Sequence, residues 1–398
     1  MSSSRNDVRG LATLAVGVVD RVTAPVAGVH QAVAERVFEA LGPGAGGVRR
    51  VHDSVTGGVH GSIRSANRIL ERAADVGCRV VWADRELRFL DRSSRGLSTL
   101  AALNAAVGDE LHETGSDLAI AMQLFHRGEP WPEGAVDEPR GRLVVFVHGL
   151  GGSERSWRTG AGDRTSYVDL LEGGLDATAL ALRYNSGRHV SDNGRELCGH
   201  LERLVLGWPV PVESLDLVGH SMGGLVIRSA CHIGAGHGLA WPSRVRHVAY
   251  LGTPHRGAPL EQVARLGLSG LGRLGETRPL ADLGRGRSAG IKDLCHGYVV
   301  EEDWTGGDVD GIDDHRHLLP LLPGAEHCFV AATVTGRPGL AGPLGDLFVP
   351  YRSAAPVALV ELPEPGVTTR HLHVGGTRHL ELLHHPEVGE QLLAWLAG

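Results

Sequence analysis

The apolar pattern of this chain changes period along its length. Between residues 8 and 41 apolar side chains recur in steps of three and four, at Val8, Leu11, Ala15, Val18, Val22, Val26, Val29, Val33 and Val37. That repeat predicts an amphipathic helix, with a break at Pro25. The run LGPGAGG from Leu41 to Gly47 ends it, and a second run follows with Val51, Val55, Val59, Ile63, Ala66 and Leu70 on one face. Residues 97–125 begin as a helix and end in the alternation of Leu118 to Phe125, which reads as an early strand; residues 126–139 read as a loop. From residue 142 the signal becomes short, mainly apolar runs that read as strands: Arg142–Val147, Ala177–Leu182, Ser214–Val218, Arg244–Leu251 and Cys328–Val334. A helix is predicted over Asn193–Gly207, capped by Asn193 or Asp192. Strands alternating with helices predict an α/β fold, a mostly parallel sheet covered on both faces.

This divides the chain into an N-terminal helical arm, residues 1–95, and an α/β domain, residues 96–398. Within the domain the stretch 258–326 has no clean period. Links in βα units are short, and an insertion after the carboxyl end of a strand lies on the ligand side of the sheet. The stretch therefore reads as a cap.

Composition narrows the class. The net charge of −7 argues against a general nucleic-acid binder. The charge is uneven: residues 1–95 hold 14 arginines against 10 acidic residues, leaving +4 there and −11 in the rest. The five cysteines are scattered without a C-x-x-C pair, as in a reducing compartment. The early run LATLAVGVVD is too short to span a bilayer and is cut by Asp20 and Arg21. The expected location is the cytoplasm, with peripheral membrane contact through the arm as an open question. Two readings of the arm compete: a helical hairpin packed on the domain or on a second subunit, and an interfacial segment with arginines near lipid phosphates.

The stretch LDLVGHSMGGLVI, from Leu215 to Ile227, joins an apolar strand to an apolar helix through Gly219-His220-Ser221-Met222-Gly223. In that setting G-x-S-x-G is a nucleophile elbow, a turn so tight that the positions two either side of the serine must be nearly free of side chain. A second match, Gly286 to Gly290 around Ser288, follows PLADLGRGR rather than a strand, and we read it as coincidental. A serine nucleophile needs donors for an oxyanion. His148-Gly149-Leu150-Gly151-Gly152 turns away at the end of a strand, and the Leu150 and Met222 amides are the natural pair. The same loop lacks G-K-[S/T], which argues against phosphate binding.

VFVHGLGG, LVGHSMGGLV and Leu251-Gly252-Thr253-Pro254-His255-Arg256-Gly257 together resemble the α/β-hydrolase lipases and esterases. The last resembles the G-T-P-H-x-G segment of bacterial triacylglycerol lipases and of GPI inositol-deacylase-like α/β-hydrolases. The resemblance spans about residues 140–395 and implies an α/β-hydrolase fold, the chain order Ser, acid, His, and an acyl-enzyme. Gly345-Asp346-Leu347-Phe348-Val349-Pro350 resembles the family's D-G-x-V-P acid loop, with Leu347 in place of glycine. That implies Asp346 as the acid, against Asp310, Asp313, Asp314 and Glu361. Gly376-Thr377-Arg378-His379-Leu380-Glu381-Leu382-Leu383 resembles its H-x-x-L-L element and implies His379 as the base. His371 and His373 fall on a strand, and His384 and His385 one turn into the following helix. His315 and His317, near Asp313 and Asp314, lack a metal-ligand spacing such as H-E-x-x-H. No metal or cofactor is expected.

These readings converge on a serine hydrolase that cleaves carboxylic esters of a lipid or other apolar acyl group. The acyl class rests on the resemblance and on cap leucines Leu266, Leu268, Leu271, Leu274 and Leu280. An acyltransferase or thioesterase would use the same residues, and a non-enzymatic lipid- or partner-binding protein on a hydrolase scaffold is the alternative of a different class.

Overall fold

The computed structural model describes residues 93–132, 136–158, 165–259, 288–305, 315–336, 345–355 and 367–398. The helices expected before residue 93, the cap leucines, Asp310, Asp313, Asp314 and Glu361 lie outside the described residues. By contacts the chain falls into two units, and the one made of residues 93–114 and 119–398 carries everything described below.

Its elements, in order, are α1 (Ser94–Glu113), β1 (Gln123–His126), β2 (Glu129–Trp131), β3 (Arg142–Val147), α2 (Tyr167–Leu175), β4 (Thr178–Arg183), α3 (Val190–Gly207), β5 (Ser214–His220), α4 (Met222–Gly236), β6 (Val245–Leu251), α5 (Ala289–His296), α6 (Glu302–Thr305), β7 (Glu326–Thr333), α7 (Tyr351–Ala354), β8 (Thr368–Gly375) and α8 (Pro386–Ala397). The strands form one sheet in the order β2-β1-β4-β3-β5-β6-β7-β8. Pairing is antiparallel at β2-β1 and β1-β4 and parallel throughout the rest.

The mainly apolar runs are strands covered on both faces. In β3, Leu143, Val145 and Val147 face a core shared with Leu197 and Leu201 of α3 and Leu225 and Val226 of α4. Val144 and Phe146 face the opposite core, with Tyr167 and Leu171 of α2 and Leu392 and Trp395 of α8. The chain leaves β3 for β4 on one side and later returns to β5 on the other, so the order reverses at β3. The crevice at such a reversal, beyond the carboxyl ends of the strands, is where open parallel sheets place ligands.

Three local expectations are corrected. Residues 126–139 are not wholly loop: β2 returns antiparallel on β1, with Leu124 opposite Trp131. Arg127 and Gly128 both have positive φ (49° and 91°), the requirement of a tight primed hairpin turn. Helix α3 starts at Val190, not Asn193, and neither Asn193 nor Asp192 caps it. Its first amide is bound by the Asp293 carboxylate at 2.7 Å, an anion at a helix N-terminus delivered from about a hundred residues away. His384 and His385 are not inside a helix. They separate a 3-10 turn, His379–Leu383, from α8, which begins at Pro386 with His385 as its N-cap.

Within 258–326, α5 and α6 are described. Ser288 accepts a bond from the Ile291 amide and caps α5. Its hydroxyl donates to the Ala105 carbonyl of α1 at 2.6 Å, and Asp109 of α1 accepts from the Ala289 amide at 2.8 Å. Residues 260–287 and 306–314, the bulk of the expected cap, are outside the described residues.

Candidate active site

Strand β5 ends at His220 and α4 begins at Met222, so Ser221 alone makes the turn. Its φ of 53° and ψ of −125° are a conformation that a serine adopts only when the surrounding structure enforces it. The Ser221 amide is tied to the Leu251 carbonyl at the end of β6 (2.8 Å). Gly223 lies so close to the Val147 and His148 carbonyls that any Cβ there would collide with backbone. The other G-x-S-x-G match has none of this: Ser288 has φ −60° and ψ 156°, ordinary extended values for a helix cap.

The carboxylate loop lies between β7 and α7. Gly345 has φ 52°, and a side chain there would strike the Val349 carbonyl. Asp346 Oδ1 accepts from the Phe348 and Val349 amides at 3.0 and 2.8 Å. That leaves Oδ2 for His379 Nδ1, at 2.6 Å. A second tie joins the two residues, from the His379 amide to the Asp346 carbonyl (3.2 Å). Both side chains are fully buried. Leu347 sits at φ 85°, a region that disfavours every residue with a Cβ, at the position where the resembling loop has glycine.

Gly252, directly after β6, connects this pair to the elbow. A Cβ on Gly252 would lie 3.1 Å from His379 Nδ1, while the preceding Leu251 carbonyl holds the Ser221 amide. Ser221 Oγ and His379 Nε2 are both buried with no hydrogen-bond partner. An unpaired buried hydroxyl and an unpaired ring nitrogen each cost about 1–3 kcal/mol, a cost that native folds concentrate where chemistry needs free groups.

On the other side of Ser221, a Cβ on Gly149 would be 2.9 Å from that of Ser221, so the loop 148–152 passes directly over this serine. The Gly152 amide closes a turn onto the Gly149 carbonyl at 3.1 Å, and the Gly151 amide donates to Ser186 Oγ at 3.0 Å. Met222 is the first residue of α4, where amides have no partner within the helix.

Sequence reasoning passed over several residues around these groups. His220, the variable position of the elbow motif, holds the His379 carbonyl through Nε2 at 3.1 Å. Burial, with His379 close by, pushes its pKa well below the ordinary value, so the ring is neutral and Nε2–H is the donor. His148 and Tyr184 stack at 4.3 Å, and Tyr184 Oη donates to the His148 carbonyl at 2.8 Å. The only sequence signal for His148 and His220 is their place inside the two glycine motifs. The rival histidines lie elsewhere. His371 stacks on Phe329, His373 pairs with the Thr333 hydroxyl, and His317 binds Asp303. Among the described residues no group of three or more His, Cys, Asp or Glu could hold a metal ion.

Residues 138–268 match the family described as the PGAP1-like alpha/beta domain. No curated protein matches the chain by sequence. Solved structures with similar architecture include the mature lipase BlEst2 of Bacillus licheniformis, 22% identical, covering 66% of this chain and 96% of that one with a TM-score of 0.40. An esterase of Pyrobaculum calidifontis is 17% identical, with coverage of 79% and 94% and a TM-score of 0.41. The thioesterase RedJ of Streptomyces coelicolor is 18% identical, with coverage of 68% and 96% and a TM-score of 0.38. The strand order and the strand–turn–helix at Ser221 give this chain an α/β-hydrolase fold, whose residues 138–268 match the PGAP1-like alpha/beta domain family.

Proposed function

We propose that the protein is a serine hydrolase of carboxylic esters, with Ser221 as nucleophile, His379 as base and Asp346 as the residue that orients it. The observation that carries this reading is the buried Asp346–His379 pair at 2.6 Å, with His379 Nε2 and Ser221 Oγ both unpartnered. In this reading His379 Nε2 takes the hydroxyl proton as Oγ attacks the acyl carbonyl, and Asp346 stabilises the imidazolium through Nδ1. The Leu150 and Met222 amides receive the oxyanion; losing one such donor typically costs roughly 2.7–4 kcal/mol of transition-state stabilisation. The protonated histidine then gives its proton to the leaving oxygen, and water, activated by the same ring, releases the acid.

Ser221→Ala is expected to fold normally and to lose p-nitrophenyl ester turnover by orders of magnitude, and a fluorophosphonate probe is expected to label Ser221 in the native wild type. Wild-type activity in the alanine variant would refute the assignment. Failure of the probe to label would favour a binding protein on a hydrolase scaffold. The acyl group is proposed to be a lipid or other apolar chain, to be read from turnover across ester chain lengths. Product analysis with an added alcohol or thioester separates hydrolysis from acyl transfer and thioester cleavage.

We further propose a cytoplasmic protein whose arm, residues 1–95, makes peripheral contact with anionic membranes through its excess of arginine. Among the described residues no helix is long and apolar enough to cross a membrane. Co-sedimentation of the full chain with anionic vesicles, but not with neutral ones, is expected; no pelleting with either sinks the idea.

A further inference from the structure

Loop 148–152 contains an interaction that the proposed mechanism does not use. The His148 side chain is fully buried and reaches back to the carbonyl of the next residue, with Nδ1 2.8 Å from Gly149 O. A carbonyl only accepts, so Nδ1 carries the proton. The other nitrogen, Nε2, then accepts from the Tyr184 amide at 3.4 Å. Burial pulls the His148 pKa down to about 4, so the ring keeps this neutral form across the physiological range.

The Gly149 carbonyl belongs to the same planar peptide as the Leu150 amide. In a trans peptide the two point in opposite directions. Two donors, His148 Nδ1 and the Gly152 amide, hold that carbonyl from one side. The direction of the Leu150 N–H is therefore set by what holds Gly149 O. Hydrogen bonds to a carbonyl also polarise its peptide, making the N–H at the other end a stronger donor. The next two amides are occupied inside the protein, Gly151 by Ser186 Oγ and Gly152 by Gly149 O.

We infer that His148 is a positioning residue for ester hydrolysis, holding the Gly149–Leu150 peptide by its carbonyl so that the Leu150 amide meets the oxyanion at Ser221. The inference rests on the ester-hydrolase reading above. Tyr184 is its support: its ring packs on the imidazole, its amide fixes the tautomer and its hydroxyl holds the His148 carbonyl. Since the peptide is aimed at charge that develops only during reaction, its loss should appear in kcat rather than in KM.

His148→Leu keeps the volume and removes the Nδ1 donor, whereas His148→Asn places an amide nitrogen near the position of Nδ1. For the leucine variant kcat is expected to fall roughly ten- to a hundredfold with KM nearly unchanged, part of the 10²–10³ that loss of a whole oxyanion donor costs. Affinity for a trifluoromethyl ketone, which forms an oxyanion on the serine, should fall in parallel. The asparagine variant should recover most of both. A general packing role would impair both variants alike and lower thermal stability without this split. If His148→Leu does not fold, Tyr184→Phe keeps the stacked ring and removes only the hydroxyl, and a smaller kcat loss at constant KM is expected. Fluorophosphonate labelling of the wild type keeps the two claims apart. A labelled, active wild type with unchanged kcat in a folded His148→Leu or Tyr184→Phe variant, or with no rescue by asparagine, overturns the positioning role alone. An unlabelled, inactive wild type overturns the hydrolase reading and this inference with it.

Discussion

Leu347 and Asp346 are adjacent, yet they answer to different physics. Leu347 occupies φ 85° although its side chain is exposed. The conformation is imposed because Gly345, Asp346 and Val349 close a turn that presents Oδ2 to His379. Leu347→Gly is therefore expected to raise stability by roughly 0.5–1 kcal/mol, the left-handed strain relieved less the added freedom of the unfolded chain. An unchanged or lowered melting temperature would show that the turn is not strained. Asp346→Asn keeps the shape of the pair but can turn an N–H toward Nδ1, which favours the wrong tautomer of His379. Its kcat on p-nitrophenyl esters is expected to drop by up to about 10⁴-fold with the fold retained. A drop of less than tenfold would argue that another carboxylate orients the base.

At the level of elements, the two G-x-S-x-G matches show how context decides what a motif does. Ser221 ends a buried strand and starts a helix at positive φ, with both flanks pressed against backbone. Ser288 caps α5 and ties it to the Ala105 carbonyl of α1. Ser288→Ala should cost about 1–2 kcal/mol, the usual loss for a cap, and leave esterase kcat within about twofold. Loss of activity comparable to that of Ser221→Ala, in a folded protein, would reverse the assignment of the two serines. The start of α3 makes a similar point. Its nearest polar residues, Asp192 and Asn193, looked like caps. Asn193 is instead turned inward, donating to the Asn185 carbonyl at 2.9 Å, while Asp293 holds the Val190 amide.

Across the whole molecule, burial of neutral histidines ties stability to pH. Burial lowers His148 and His327 to about 4 and takes His220 and His255 well below the ordinary value. In the unfolded chain all four titrate near 6.5. Below that pH the unfolded state binds more protons than the folded one, so stability is present above 6.5 and falls as the pH drops toward the folded values. Each fully shifted group contributes a slope of at most roughly 1.4 kcal/mol per pH unit. Two groups act in the opposite sense: Asp293, raised by burial, and His189, drawn down by burial but lifted further by Asp293 beside it. Burial also lowers the more exposed His200, His371 and His373, and the balance of seven against two leads to a urea midpoint that declines between pH 6.5 and 5. A midpoint that is flat or rises over that interval would contradict it.

The sequence by itself determined the mostly parallel character of the sheet and the position of the elbow. The run Leu143–Val147 is apolar on both faces, and that requires a strand buried between helices. In Ser214–Val218 one face carries Ser214 and Asp216, and Asp216 is buried only because Arg142 and His247 pair with it. The glycines around Ser221 are local demands of one tight turn, so they are legible locally. Asp346 and His379 came from resemblance rather than spacing, since nothing near either residue points to the other across 33 positions. Tertiary structure decided what depended on distant partners. It paired Asp346 with His379, left Ser221 Oγ and His379 Nε2 without partners, capped α3 from Asp293 and turned the His148 ring onto the Gly149 carbonyl. It also returned β2 on β1, which Glu129-Pro130-Trp131 does not announce by any alternation. Periodicity reports which face of an element is buried; it carries no record of which side chain, from elsewhere in the chain, meets that face.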